Sequence, residues 1–359
     1  MAKVTIQDVA REAGVALGTV SNALNHPQKV RPSTLETVRA AMDKLGYAPN
    51  QSARMLAGGK NNTFGLVLPR LDHGISLQIA NGAHNEARKN GYDLLIANAD
   101  NDDILEDRYL RYFLGTQVAG VLVQPMAGRD WRPQVSTGPV PTVYLDIHSD
   151  EPGYFVAADN EAQGALVAEH AVSCGAHRVA VFGQTEFMQL VYRAAGVGSA
   201  AQDHPDVAFE FIDEGSWNLA RDGYEIGRRL AERPADERPD AVIALTDVLA
   251  TGAIAGIEAA GLSVPDDIAV IGGDGNPLAW TGSVPLTTVA PPGYEMGRRG
   301  VQYLIEQIEV EKLAEMTGEP VDRSKNHQAM VRPFLLARAS SGAVRGHGGE
   351  PDLDLGAYL

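Results

Sequence analysis

Two groups of residues have the types and spacing to do chemistry. Thr19, Ser21 and Asn22 crowd the start of a short segment that follows Gly14. Their hydroxyls and amide can hydrogen-bond phosphate oxygens or base edges, and an asparagine amide suits adenine. The second group closes a series of apolar runs: Asn98, Gln124, Asp146, Asp247 and Asp274. At the carboxyl end of a strand in an alternating strand–helix chain, such side chains face the crevice where ligands bind. Other chemistry finds no pattern. Cys174 stands alone, so it forms no intramolecular disulfide and seeds no metal cluster. The nine histidines are scattered without a His-Glu-x-x-His pair, and no Gly-x-Ser-x-Gly elbow occurs. Ile271-Gly272-Gly273-Asp274-Gly275 lacks the Lys-Ser/Thr of a phosphate loop and the spacing of a dinucleotide fingerprint. The expectation is a non-enzyme with no catalytic residue, no metal and no cofactor.

The elements that position the first group are helices. Thr5 can cap a helix over about Ile6–Ala13, with Asp8 three residues on closing a capping box. Gly14 supplies the turn. Val20 and Leu24 give the next helix an inward face at i and i+4, leaving Leu17, Gly18, Ser21 and Asn22 near its exposed N-terminal face. Ser33-Thr34-Leu35-Glu36 reads as a second capping box, opening a helix that carries Val38, Met42 and Leu45 inward until Gly46. Residues 50–57 form a short potential helix ended by Gly58-Gly59, and Lys60-Asn61-Asn62 is a polar linker. Helix, glycine turn and polar-tipped second helix is the layout of a helix-turn-helix, although structural helical hairpins share it. Charge adds weight. Residues 1–60 hold eight basic against four acidic residues, a net of +4, whereas the remainder holds 22 against 42, a net of −20. A basic polyanion-binding module on an acidic body fits that asymmetry inside the overall −16; a solvated fluctuation of surface charge is the plainer alternative.

From Phe64 onward, apolar runs at 64–69, 94–98, 118–125, 140–146, 179–183, 209–213, 241–247 and 268–274 alternate with helical stretches. That alternation predicts doubly wound parallel sheets, and so many strands predict two lobes with a crevice between them. The chain of 359 residues, 44% hydrophobic and 21% charged, has ordinary globular composition, which excludes collagen-like, disordered and disulfide-rich classes. No apolar run approaches the ~18 to 20 residues of a membrane helix, and Met1-Ala2-Lys3-Val4-Thr5 lacks a signal-peptide stretch, so a cytoplasmic chain with no membrane partner is expected.

The run Thr5-Ile6-Gln7-Asp8-Val9-Ala10-Arg11-Glu12-Ala13-Gly14-Val15, followed by Thr19-Val20-Ser21-Asn22-Ala23-Leu24-Asn25 and by Leu45-Gly46-Tyr47-Ala48-Pro49-Asn50 with Ala53-Arg54, closely resembles the lactose repressor and galactose repressor family. The resemblance continues through Asp159-Asn160, the Arg193 to Gly196 stretch, Thr246-Asp247 and Pro285-Leu286-Thr287-Thr288-Val289. It implies an N-terminal all-α helix-turn-helix headpiece on an α/β two-lobed, periplasmic-binding-protein-like core with doubly wound parallel sheets. The implied divisions are a DNA-binding domain at 1–48, a hinge helix and linker at 49–62, and a core at 63–338. The core divides into an N-lobe (about 63–160 and 291–320) and a C-lobe (about 161–290 and 321–338), and 339–359 is read as a disordered tail without heptads. The family design is a homodimer on a palindromic operator in double-stranded DNA. Its DNA contacts fall here on Thr5, Leu17, Gly18, Thr19, Ser21, Asn22, Asn25, Asn50, Ala53, Arg54 and Leu56. Leu17, Gly18 and Asn22 take base-reading positions, and Leu56 wedges into the minor groove at the operator centre. Residues 50–57 become helical only on DNA, because eight residues are too few for a stable helix in water.

For the core, the resemblance implies a small-molecule effector, a carbohydrate, held by Asp146, Arg193 and Asp274, since carboxylates and a guanidinium fork can clamp vicinal hydroxyls. Trp217 matches a position that offers a ring face, while Gln189, Thr246, Asp247 and Pro291 fall at matching places. Asp72, His73 and Ile75 are the first-lobe contacts. For each alone, a capped turn or structural ion pair is the alternative. The chain also departs from the family pattern. Ala16 stands where a serine usually caps the recognition helix, a loss on the order of 1 kcal/mol. Gly18 leaves a base-reading position without a side chain. His73, Gly74, Ile75 and Ser76 replace a family stretch of Asn-Pro and two aromatics. The expected function is a transcriptional repressor whose effector changes its DNA affinity. Alternatives are a corepressor-dependent regulator of purine type and a sugar-modifying enzyme fused to a DNA-binding domain.

Overall fold

The computed structural model describes residues 4–47, 61–71, 74–126, 133, 140–185, 187–216, 219–276, 282–290 and 293–342. The chain divides into two compact units, Met1–Asn62 and Thr63–Leu359.

The first unit contains α1 (Ile6–Ala13), α2 (Leu17–Asn25) and α3 (Pro32–Leu45). The capping box at α1 forms: Asp8 Oδ2 accepts from the Thr5 backbone N–H at 3.0 Å and the Thr5 hydroxyl at 2.7 Å. Gly14, at φ 65°, ends the helix in the left-handed conformation that glycine adopts without strain. The start of α3 differs from expectation. It opens at Pro32 with Arg31 as cap, so Ser33 to Glu36 lie within its first turn. Proline presets the helical φ, and its missing N–H would have gone unpaired there anyway. Val9, Ala10, Val20, Ala23, Val38 and Ala41 form the shared core.

The second unit has β1 (Thr63–Leu68), β2 (Asp93–Asn98), β3 (Gly120–Val123), β4 (Thr142–Leu145), β5 (Gly153–Ala158), β6 (Arg178–Phe182), β7 (Ala208–Ile212), β8 (Ala241–Ala244), β9 (Ala269–Ile271), β10 (Thr288–Ala290), β11 (Asn326–Val331) and β12 (Phe334–Leu336). Its helices are α4 (Gly74–Lys89), α5 (Asp103–Gly115), α6 (Asn160–Ser173), α7 (Met188–Asp203), α8 (Ala220–Ala231), α9 (Asp247–Ala259) and α10 (Gly293–Thr317). The N-lobe sheet runs β11-β5-β4-β3-β1-β2 and the C-lobe sheet β7-β6-β8-β9. Every neighbouring pair in both is parallel. Parallel strands are covered on both faces: Phe64, Leu66 and Leu68 of β1 join the core beneath α4 and α10, while Val67 joins the opposite core with Phe113 of α5.

The predicted runs coincide with β1 to β4 and β6 to β9; β5, β10, β11 and β12 are additional. One expected boundary needs correction. Residues 326–331 pair in register with β5 and therefore extend the N-lobe sheet, although 321–338 was assigned to the C-lobe. Backbone pairing at an exposed sheet edge makes little demand on side chains, and β11 is largely polar at its start. Only β12, antiparallel to β10, returns to the C-lobe. The ordered C-lobe also runs beyond 338. Ser340 Oγ accepts from Thr287 N at 2.8 Å and donates to Val270 O, and Ser341 is buried. Residues 343–359, the rest of the expected tail, lie outside the described residues.

Helices meet at unusually small residues. A Cβ on Gly252 of α9 would stand 1.9 Å from Ala220 O, and one on Gly223 of α8 would stand 2.1 Å from Leu249 O. The two helices therefore touch backbone to backbone. Gly82 with Gly297 brings α4 against α10 in the same way, and Gly164 with Gly196 brings α6 against α7. No helix among the described residues is long and apolar enough to cross a membrane.

Candidate functional site

The headpiece presents part of its expected face. Ala16 caps α2 without a side-chain hydrogen bond. Leu17 is 44% exposed, and Thr5, Gly18 and Asn22 are exposed as well. Thr19 and Ser21 are half-buried, and Asn25 Nδ2 turns back to Ser21 Oγ at 3.4 Å. Arg11 pairs with Asp8 at 3.1 Å and Lys44 with Glu12 at 2.5 Å, while Lys29, Arg31 and Arg39 are exposed. The hydroxyl and N–H of Thr5 hold the Asp8 carboxyl below its ordinary range. Asn50, Ala53, Arg54 and Leu56 lie outside the described residues.

In the body, the strand ends converge. Asp146 follows β4 at φ 59°, a left-handed conformation that aspartate tolerates better than most side chains. Gln124 donates to its Oδ2 at 3.3 Å and accepts from the Ser76 hydroxyl at 2.8 Å. From the other lobe, Gln189 in the first turn of α7 donates to the main-chain oxygen of Asp146 at 2.8 Å. Arg193 lies one turn further on and is 7% exposed. Its Nε donates to Asn160 Oδ1 and its Nη1 to Leu245 O, both at 2.9 Å, which fixes the plane of the guanidinium. Burial is the main force on Asp146 and pushes its carboxyl up to about 6; Arg193 and Gln124 pull it down, and Asp274 raises it further.

Asp247 and Asp274 form a web behind these groups. Asp247 N donates to Asp274 Oδ1 at 2.9 Å, and Asp274 N returns a bond to Asp247 Oδ1 at 3.3 Å. Asp247 also accepts from the Thr288 hydroxyl and from Asn276 N, both at 2.6 Å. Its carboxyl is fully buried beside Asp274, and both conditions raise its pKa well above the ordinary range. Thr246 Oγ1 accepts from Leu249 N at 3.4 Å and caps α9.

A cavity of about 70 Å³ is lined by Ile75, Gln124, Asp146, Gln189, Arg193, Thr246 and Asp274, with Pro69, Pro125, Met126, Phe187 and Leu190 as apolar walls. Six expected effector residues thus share one cavity. Asp247 lies outside that lining, with its carboxylate committed to the web. Asp72, His73, Trp217 and Pro291 lie outside the described residues. Gln124 and Asn160 were missing from the expected set. The strand-end position marked Gln124, whereas the role of Asn160 in orienting Arg193 depends on a contact 33 residues away in sequence. A second cavity of about 220 Å³ adjoins the first and shares Asp146 and Gln189.

A helix-turn-helix headpiece joined to a two-lobed core with a polar cleft defines a ligand-sensing, DNA-binding regulator. Residues 5–50 match the model of bacterial regulatory proteins of the lacI family, and residues 168–340 match a periplasmic binding protein-like domain. The HTH-type transcriptional repressor PurR of Aliivibrio fischeri (strain MJ11) is 31% identical over 333 residues, covering 89% of this chain and 97% of the relative. The chain belongs to the lacI family and is a transcriptional repressor of that family. Two solved structures are similar across 94% of the chain. A lac repressor dimer bound to operator and the anti-inducer ONPF has a TM-score of 0.77 at 25% identity, with 99% of that chain covered. The transcriptional regulator CelR in complex with cellobiose has a TM-score of 0.63 at 26% identity, with 100% of that chain covered.

Proposed function

We propose that the chain acts as a homodimer on a palindromic operator and leaves it when a small carbohydrate occupies the cleft. The observation that carries this reading is the shared cavity. Asp146 and Gln124 enter it from the N-lobe, Arg193, Thr246 and Asp274 from the C-lobe. A ligand with neighbouring hydroxyls joins both lobes through these groups and favours the lobe arrangement that suits it. Couplings of this kind run ~1 to 3 kcal/mol. Gln189 to Asp146 O and Gln78 Nε2 to Gly275 O, the latter at 3.2 Å, already cross between the lobes and set the arrangement that the ligand has to bias.

Support for the homodimer comes from the sheet edges. β2 and β7 occupy corresponding edge positions in the two sheets. Both present apolar side chains to solvent, with Leu95 52%, Ile96 46% and Phe211 50% exposed. Open apolar edges need a partner, and a second copy supplies one by two-fold symmetry. Thr5, Leu17, Gly18 and Asn22 would read the operator from the exposed start of each headpiece, with Leu56 as wedge. The chain works without catalysis, and in the cytoplasm. The relatives PurR and the ribose operon repressor carry the repressor role in their names.

The test is a thermal-shift screen of sugars, nucleosides and polyols, with hits carried into binding assays on an operator selected from random palindromes. A carbohydrate that raises the melting temperature and weakens the complex is expected. A nucleoside that tightens it establishes the corepressor alternative instead. Leu56→Ala should weaken operator binding at least ~10-fold, as loss of an intercalating wedge does; unchanged affinity at matched salt removes that role.

A further inference from the structure

We propose that Ser76 is a positioning residue for the cleft: its hydroxyl fixes the Gln124 amide with the nitrogen toward Asp146, and through that amide it orients the carboxylate. This deepens the effector reading and rests on it, because it takes Asp146 as a group that meets the ligand. Ser76 lies in the first turn of α4 and closes the stretch from His73 that departs from the family pattern. Where that pattern offers an aromatic ring, the serine is fully buried and stands outside the cavity lining. It reaches a ligand only through another side chain.

The side chain between them is Gln124, which is 3% exposed, so both ends of its amide need partners within the protein. Its Oε1 accepts from the Ser76 hydroxyl at 2.8 Å, and its Nε2 donates to Asp146 Oδ2 at 3.3 Å. A half-turn about the last side-chain bond would exchange oxygen and nitrogen. Two groups decide which way it stands. An ionised Asp146 only accepts, so it calls for the nitrogen. The oxygen then falls toward α4, where Ser76 supplies a donor. Without that donor Oε1 is buried and unpaired, and the amide relieves the cost by turning away from the carboxylate.

Asp146 registers the difference. Among the described residues its Oδ1 takes no hydrogen bond, which leaves Gln124 as the one side-chain donor to the carboxylate. Arg193 of α7 also favours the ionised form, while burial and Asp274, beyond β9, oppose it. A nitrogen held on Oδ2 keeps Asp146 more acidic than its surroundings alone would make it, and turns Oδ1 into the acceptor left for a ligand. Recognition on this wall then depends on hydrogen-bond direction, since no aromatic ring of the N-lobe lines the cavity among the described residues.

Carboxyl carbon-13 NMR of the full chain labelled at aspartate tests this without a ligand, with the Asp146 signal identified by its loss in Asp146→Asn. Ser76→Ala should raise the Asp146 titration midpoint by about 1 unit, a ~10-fold change in proton affinity. Gln124→Leu should raise it as well, and the double variant no further than Gln124→Leu alone, because the hydroxyl acts through the amide. Ser76→Thr, which keeps the hydroxyl, should return the midpoint to the parent value. Ser76→Cys, similar in volume but a weak donor, should shift it upward and serves in place of Ser76→Ala should that variant fail to fold. A midpoint unmoved in both Ser76→Ala and Ser76→Cys, or single shifts that add in the double variant, overturns the positioning role and leaves the effector reading standing. A parent chain that binds no sugar or polyol in the thermal-shift screen overturns the effector reading instead.

Discussion

In the C-lobe, Asp247 and Asp274 exchange bonds with each other's backbone, and Thr288 and Asn276 complete the acceptors of Asp247. In the N-lobe, Asp146 leans on one side chain, Gln124, at 3.3 Å. Both sheets have the same doubly wound order around their first strand. They differ in how the carboxylates at their strand ends are held. The C-lobe side is built before any ligand arrives, because Asp247 and Asp274 are held by each other and by Thr288 and Asn276 of their own lobe. The N-lobe side retains spare capacity: its carboxyl has a single side-chain donor, and burial pushes its pKa up to about 6. A preformed wall facing an adjustable one is an economical way to make ligand occupancy change the relation between two lobes.

The contrast can be broken at several points. Asp247→Ala should have the largest effect, since it strands the Thr288 hydroxyl and the N–H groups of Asp274 and Asn276. At ~1 to 3 kcal/mol for each buried group that loses its partner, a loss of at least about 3 kcal/mol is expected. Denaturant midpoints read it, and a loss under about 1 kcal/mol would show that the web is not a rigid wall. Arg193→Ala should weaken effector binding at least ~10-fold while operator affinity without effector is kept. An intact effector response would remove Arg193 from the site. The smallest effect sharpens the N-lobe side. With a folded pKa of about 6 against an ordinary 3.8, Asp146 binds its proton more tightly when folded. Stability from this group is therefore greatest below pH ~4, falls between about 4 and 6, and levels above. Asp146→Asn should remove that portion of the slope. Glu106, pushed up to about 7 chiefly by burial and next by Asp103, slopes the same way at higher pH and persists in the variant, so the difference between the two curves isolates Asp146. Superimposable curves would show that Asp146 is not protonated over this range.

Much of the fold was legible because its signals are local. The Thr5–Asp8 box, Gly14 and the strand-end polar residues each depend on neighbours within a few positions. What escaped depends on distant partners. β11 carries little apolar alternation and becomes a strand because β5 leaves an edge to pair with. Asp247 sits at a strand end like Asp146, yet Thr288, 41 residues away, turns it inward. Sequence position alone marks strand-end residues such as Asp146 and Asp247 alike; only the distant partners separate the one that lines the cavity from the one that braces it.

The glycine contacts between helices have a mechanical consequence. Where α4 meets α10, α6 meets α7, and α8 meets α9, no layer of side chains separates the backbones. Sliding either helix by one residue would drive a β-carbon into a carbonyl, so these pairs resist shear. Each pair lies within a single lobe. Any change in cleft width then comes from the segments that link the lobes, with each lobe turning as a solid body. Movement at one end of a lobe is delivered undiminished to the other, which is what a lever requires.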